Sequence, residues 1–328
     1  MPERIGSVCK VGSTKMMKHN TGAAGIDIGK SKLDLALSDC DERWVFQNDA
    51  QGRAALVAVL LKHAVQRAGL EASGGYERDI VEALRQAGVD VILFQPRQVR
   101  AYAVYRQRRA KTDAIDAGLI AACAAEHGPA RTAPDPRLAA LAEPMRLLGQ
   151  IQDDIVRLKT RREAYRDETI RASLDEEIRR LRLWRHQLAN SLMAAIKGHD
   201  DLRQRLELIL SVPGIGPRTA LILIIRMPEL GTLSREQAAS LAGLAPFNDD
   251  SASRRGQRHI TGGRSDVRTA LYAAALPAAF RWNQALIDLY TRLTAKGKAH
   301  KQALVACARK LLVYANTVLQ RNETWRQI

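Results

Sequence analysis

Four carboxylates and one serine are the residues of this 328-residue sequence best placed to do chemistry. Asp27 sits in an apolar stretch between glycines, Gly25-Ile26-Asp27-Ile28-Gly29, and Glu71 ends a second stretch just before Ser73-Gly74-Gly75. Asp113 and Asp116 are three residues apart in a helical pattern, so they share one helix face. Acids delivered from two strands and one helix to a single sheet edge are hard oxygen ligands of the kind that bind Mg²⁺. Two such ions can clamp both sides of a phosphodiester in line. Far along the chain, Asn248 to Arg268 (NDDSASRRGQRHITGGRSDVR) holds Ser251 and Ser253 among five arginines, three glycines and His259. The block has no hydrophobic period, which predicts a loop or an irregular ribbon. Guanidinium forks match phosphate oxygens and glycine admits close backbone approach, so Arg254, Arg255, Arg258, Arg264 and Arg268 are candidate phosphate contacts. A serine hydroxyl needs activation and the block offers no obvious general base. Metal ions held by the distant acids would supply it.

The elements that must position these residues follow from pattern. Within residues 23–130, three short strands precede the first helix and the order then alternates, βββαβαβα, which predicts an α/β domain with a mixed sheet. Val65 to Ala72 reads as a weak strand because Ala68-Gly69 interrupts it, and Gln98 to Glu126 reads as one long alanine-rich helix. A proline-rich break, RTAPDPR, marks a domain boundary at 131. Residues 131–207 carry Leu138, Leu141, Met145, Leu148, Ile151, Ile155 and Leu158, then Leu174, Ile178, Leu181, Leu188 and Leu192, at three- and four-residue steps. That spacing predicts two long amphipathic helices, an antiparallel or intermolecular coiled coil serving as a spacer or dimerisation arm. Residues 208–328 form a helical unit containing Val212-Pro213-Gly214-Ile215-Gly216-Pro217-Arg218. This order resembles the helix-hairpin-helix motif, in which Gly214, Gly216 and Arg218 would meet a DNA phosphate at a helix N-terminus. Trp184 and Trp282 are expected to anchor helix packing, while Tyr102 and Tyr105 either stack on nucleic acid or pack.

Composition bounds the partners. A net charge of +16 points to a polyanion, nucleic acid being the commonest. The longest apolar run, Thr219 to Ile225, is too short to span a membrane. Four cysteines without CxxC spacing argue against a zinc site or a disulfide framework and fit a reducing cytosol. Residues 1–22 read as a disordered basic tail without a signal peptide, and Met16 or Met17 is an alternative start.

GIDIGKSKLDLAL, EASGGYE and KTDAIDA resemble the three catalytic blocks of the insertion-sequence 110 family, DEDD transposases with a RuvC-like (ribonuclease H-like) N-terminal domain. VPGIGPRTA, LAGLAPFNDDS, RRGQRHITGGRSDVRTALYAAAL and KGKAHKQALVACARKLL resemble that family's second domain, in the same order. The resemblance implies that Asp27, Glu71, Asp113 and Asp116 bind metal, two Mg²⁺ ions by expectation, and that Ser251 is the nucleophile. It further implies a covalent 5′-phosphoserine intermediate and a bridge RNA that pairs with donor and target DNA. The working assembly would be a homodimer that builds a tetramer, in which one protomer's acids meet another's serine. Ala252 stands where the family usually has glycine, which removes easy access to positive φ. Two other functions fit the same residues: a junction nuclease using metal-activated water, which has no use for Ser251, and a non-catalytic nucleic-acid-binding protein.

Overall fold

The computed structural model describes residues 22–107, 113–128, 135–247, 250–251, 254–255 and 259–326, with 113–115, 247, 250–251 and 254–255 described by backbone alone. The basic tail therefore lies outside the described residues but for Gly22. The chain divides into two compact units, residues 1–132 and 133–328.

The first unit is the α/β domain that the strand and helix order implies. Its elements are β1 (Ala23–Ile28), β2 (Lys32–Leu37), β3 (Cys40–Gln47), α1 (Ala50–Lys62), β4 (Arg67–Glu71), α2 (Arg78–Gln86), β5 (Asp90–Phe94), α3 (Pro96–Tyr105) and α4 (Asp113–Glu126). The sheet runs β3-β2-β1-β4-β5, antiparallel on the β2 and β3 side and parallel from β1 through β5. Side chains alternate faces along each strand. Ala24, Ile26, Ile28, Ala68 and Leu70 pack with Leu56, Leu60, Ile80 and Leu84 of α1 and α2. Ala23, Ile92 and Phe94 pack on the opposite face with Val99, Ile120 and Ala124 of α3 and α4.

Two sequence expectations change here. The long helix over 98–126 is two helices: α3 ends at Tyr105, and Gln107 takes the left-handed conformation (φ 54°), which no α-helix continues through. The weak strand is a central one, hydrogen-bonded on both sides. Gly69 is required there, because a Cβ would lie 2.8 Å from both the Ala124 Cβ and the Phe94 ring.

The second unit opens with two long helices, α5 (Pro136–Glu163) and α6 (Glu168–Lys197), packed as a hairpin. Asp167 caps α6 by accepting from the Thr169 and Ile170 amides. Ile151, Ile155, Ile178 and Leu181 fill the seam of the outer half. At the base, Leu138, Met145, Leu148, Leu192 and Ile196 join the core of the helices that follow, so the inner half of the hairpin shares their core. Those helices are α7 (Asp200–Leu210), α8 (Pro217–Arg226), α9 (Arg235–Leu241), α10 (Ser265–Pro277), α11 (Gln284–Ala295) and α12 (His300–Arg321). Between α9 and α10 lie four two-residue strands, β6 (Pro246–Phe247), β7 (Asp250–Ser251), β8 (Arg254–Arg255) and β9 (His259–Ile260). Helix α8 is buried from Thr219 to Ile225, explaining its apolar run. Among the described residues no helix is long and apolar enough to cross a membrane. The two tryptophans expected to anchor packing are exposed instead, Trp184 at 43% and Trp282 at 60%.

Candidate active site

In the parallel pair β1–β4, Gly25 stands opposite Gly69 and Ile26 opposite Leu70. One residue further, Asp27 and Glu71 are level on neighbouring strands. Each lies two positions past a glycine, so both belong to the face that α4 covers. That face is built for close approach. A Cβ on Gly25 would lie 2.1 Å from the Ala117 carbonyl oxygen and 2.2 Å from the Ala121 nitrogen. Ala23 packs with Ile120 and Ala124, and Gly25 with Ala117 and Ala121, so α4 runs opposite to β1. One further step along the strand, to Asp27, corresponds to the first turn of the helix, which carries Asp113 and Asp116. The strand register and the course of α4 thus bring the backbone of Asp27, of Glu71 and of the first turn of α4 to the same end of the sheet. Asp27, Glu71 and Asp116 are half-buried, and the side chain of Asp113 is outside the described residues. An all-oxygen set of this kind fits a hard divalent cation. Among the described side chains no three carboxylate, His or Cys groups close into a ligand cluster.

The backbone around these acids is held by polar contacts that the sequence reading missed. The Ile28 amide donates to Asp27 Oδ1 at 3.0 Å. Asn48 donates to the Gly29 carbonyl at 3.1 Å and the Tyr76 carbonyl at 3.5 Å, tying the turn after β1 to the loop after β4. In that loop Glu77 Oε2 accepts from the Ser73 hydroxyl (2.6 Å), the Gly75 amide (2.8 Å) and the Ser73 amide (3.2 Å). Burial alone would raise the Glu77 pKa, but the Ser73 hydroxyl and the loop amides outweigh it and hold the carboxyl below its usual range. Gly74 and Gly75 adopt positive φ (81° and 137°), which lets the loop fold back onto the carboxylate. The signal was present in EASGGYE, as an acid four residues after a serine with two glycines between.

The serine block forms two short ladders. Pro246 pairs with Ile260 and Phe247 with His259. Between them Asp250 pairs with Arg255 and Ser251 with Arg254. Ala252, Ser253 and Arg258 lie outside the described residues. Arg264 and Arg268 are engaged below the ribbon. Arg264 forks onto both Glu229 carboxylate oxygens at 2.6 and 2.8 Å and also donates to the Arg226 carbonyl at 2.6 Å. Arg268 donates to the Gly262 carbonyl at 2.6 Å. Arg264 therefore grips the base of the ribbon with both terminal nitrogens aimed into the protein, and Arg268 adds a bond there from one of its own.

A family model for the DEDD transposase of IS110 matches residues 24–170, a span that contains all four acids. A second, described as Transposase IS116/IS110/IS902 family, matches residues 206–291, which contain the Pro-Gly turn and the serine block. The chain belongs to the IS110 family of transposases. It is 28% identical over 311 residues to a pilin gene-inverting protein of Moraxella bovis, covering 91% of this chain and 95% of that protein. It is 33% identical over 128 residues to an IS110 protein of 43.6 kDa from Streptomyces coelicolor, covering 38% of this chain and 31% of that one. A Thermus thermophilus RuvC solved with a Holliday junction substrate (18% identity, 31% of this chain and 90% of that one) aligns with a TM-score of 0.25. As an IS110-family member this protein is a DNA recombinase.

Within that family assignment, the Pro-Gly turn between α7 and α8 has two differently used glycines. Gly214 has φ +102°, and a Cβ there would lie 2.4 Å from the Ala278 Cβ, so this glycine serves packing. Gly216 caps α8 with an ordinary φ of −89°, open space around its Cβ position and no side-chain cap. Arg218, in the first turn of α8, is exposed. Of the two tyrosines in α3, Tyr102 packs under the Arg106 guanidinium, which also pairs with Glu126 at the far end of α4 at 3.6 Å, and Tyr105 is 75% exposed.

Proposed function

We propose that this transposase cuts and rejoins DNA through a covalent intermediate on Ser251, with divalent ions, Mg²⁺ by chemistry, held by Asp27, Glu71, Asp113 and Asp116. The observation that carries the reading is the sheet register that levels Asp27 with Glu71 beneath the first turn of α4. A bound divalent ion at that edge would polarise the scissile phosphate and shield the charge that builds on its oxygens. The Ser251 hydroxyl oxygen attacks phosphorus, its proton passing to solvent. The bond to the 3′ oxygen breaks and that oxygen leaves with a proton, giving a 5′-phosphoserine and a free 3′ hydroxyl. Attack by another 3′ hydroxyl reverses the step and releases the serine. The ester conserves the phosphodiester bond, so joining needs no ATP. Arg254, Arg255 and Arg258 would hold the phosphate, and Gly216 and Arg218 would meet the DNA backbone elsewhere. A bridge RNA pairing with donor and target DNA, and a homodimer that builds a tetramer, complete the proposal. The inversion named for the Moraxella relative is one outcome of such strand exchange.

The test is a denaturing gel of protein incubated with its element's RNA, donor DNA and Mg²⁺. A covalent protein–DNA adduct is expected with wild type and with Ser253→Ala. Ser251→Ala and Asp27→Asn are each expected to lower its yield at least about 10³-fold. Metal-dependent cleavage with no adduct would replace the serine mechanism with hydrolysis.

A further inference from the structure

The helix after the serine block breaks its own periodicity. Helix α10 buries Val267, Leu271, Ala274, Ala275 and then Ala278, the spacing of one α-helical face. Continued as an α-helix, that face would next bury Trp282, four residues past Ala278. Instead the segment Ala278–Trp282 is a π turn, closed by the Asn283 amide donating to the Ala278 carbonyl at 3.1 Å. Pro277, which has no N–H, sits just before it and interrupts the regular ladder. The extra residue hands the buried place to Asn283, 3% exposed, which donates to the Pro213 carbonyl at 3.0 Å and accepts from the Leu286 amide. Phe280 and Trp282 are turned out to 50% and 60% exposure.

Phe280 belongs to a larger aromatic group. The Phe280 ring lies 4.8 Å from Tyr290 and 6.4 Å from His300, nearly parallel to the latter at 29°. The Tyr290 hydroxyl and His300 Nδ1 are 2.7 Å apart, which fixes both rings. Between Leu276 and Lys301 the chain carries Arg281, Arg292, Lys296, Lys298 and Lys301, all exposed, against a single acid, Asp288. Exposed flat rings on a fixed support among unneutralised cations are what an unpaired nucleic-acid strand requires: stacking for its bases and charge for its phosphates. Gly214 packs on Ala278 and Asn283 holds Pro213, so the patch is braced against the turn before α8.

We propose that Phe280, backed by Tyr290 and His300, and the exposed Trp282 two residues on, in a segment rich in cations, offer stacking surfaces for unpaired bases of single-stranded DNA. The occupant is DNA because the family recombines DNA, and breaking and exchanging strands leaves unpaired bases beside each break. The inference rests on that family activity and goes beyond the serine chemistry proposed above.

The test uses the full chain in EDTA, where no strand is cut, so its result stands apart from the fate of the serine mechanism. Fluorescence anisotropy would follow a labelled single-stranded DNA, its duplex, and an RNA of the same sequence. Phe280→Ala and Trp282→Ala should each weaken single-stranded DNA binding about 5- to 100-fold and leave duplex binding within about threefold. The aromatic replacements Phe280→Tyr and Trp282→Phe should keep wild-type affinity, which separates loss of stacking from loss of fold. Unchanged single-strand affinity, or an equal loss on duplex, would overturn the platform. A loss on RNA alone would assign the patch to RNA, and a change in oligomeric state without a change in DNA affinity would assign it to a second copy. Either result also overturns the proposal.

Discussion

In the first unit Asp27 and Glu71 ride on central strands whose neighbouring glycines are covered by α4, with backbone atoms of that helix where a Cβ on Gly25 would stand. In the second unit Ser251 rides on a two-residue ladder above a base gripped by Arg264 and Arg268. The acids are positioned by close packing, which tolerates almost no change in volume. The serine is positioned by directional hydrogen bonds at the foot of a ribbon, and these can be weakened one at a time. The pairing suits the proposed chemistry, since metal ligands need fixed separations while a nucleophile has to reach and withdraw.

The largest effect that tests this contrast is expected at Gly25. A Cβ there meets backbone atoms of α4, which cannot swing aside. Gly25→Ala is expected to cost about 3 kcal/mol or more of first-unit stability, read by thermal denaturation, with DNA cleavage lost alongside. A melting temperature near wild type would refute the close-packing account. Gly69→Ala meets the Ala124 Cβ and the Phe94 ring at 2.8 Å, a less severe overlap than the 2.1 Å at Gly25, and should cost less. Next comes a pair in the turn before α8. Gly214→Ala combines positive φ with a clash on Ala278 and should cost about 2–3 kcal/mol. Gly216→Ala should leave stability within about 0.5 kcal/mol. If Gly216→Ala weakens DNA binding while the fold is intact, the backbone there approaches phosphate; unchanged binding would remove it from the interface. Smaller again, Arg264→Ala releases Glu229 and the Arg226 carbonyl at the ribbon's foot. It should cost about 1–2 kcal/mol, with activity falling further than the melting temperature alone accounts for. If Arg264→Ala instead leaves stability unchanged and lowers DNA affinity, the arginine serves phosphate and not the ribbon.

Legibility in the sequence followed the range of the interaction. The α/β order was readable because strand alternation and helix period are local. The role of Gly69 was not, because its partners Ile120 and Ala124 are some fifty residues away, so a packing glycine looked like a defect in a strand. Arg264 and Arg268 read as phosphate ligands because a basic loop's composition does not reveal which guanidiniums are already occupied. Trp282 was expected to anchor packing, but the π turn after Pro277 shifts the buried place by one residue to Asn283, and no local pattern announces such a turn.

Glu77 gives the finest cut, because it lies in the acid-bearing unit yet works by hydrogen bonds. Its carboxylate gathers the Ser73 hydroxyl and two loop amides directly after Glu71, so it sets the path of the chain that leaves a proposed metal ligand. Its folded pKa is depressed, so the stabilisation is fully present above the unfolded carboxylate value of about 4.3 and fades as pH falls through the lower folded value. Glu77→Gln keeps the size but gives up the charge that strengthens these bonds. Its stability should fall by about 1 kcal/mol at neutral pH, and the gap to wild type should close as the medium is acidified below about pH 4. A gap that stays constant across that range would mean the carboxylate charge contributes nothing there. The Mg²⁺ concentration needed for half-maximal cleavage should also rise in this variant, because a loosened loop lets Glu71 drift. If the metal requirement is unchanged while stability drops, then the edge that carries Glu71 is held by α4 and the sheet alone. The division between a packed site and a hydrogen-bonded one would then be complete.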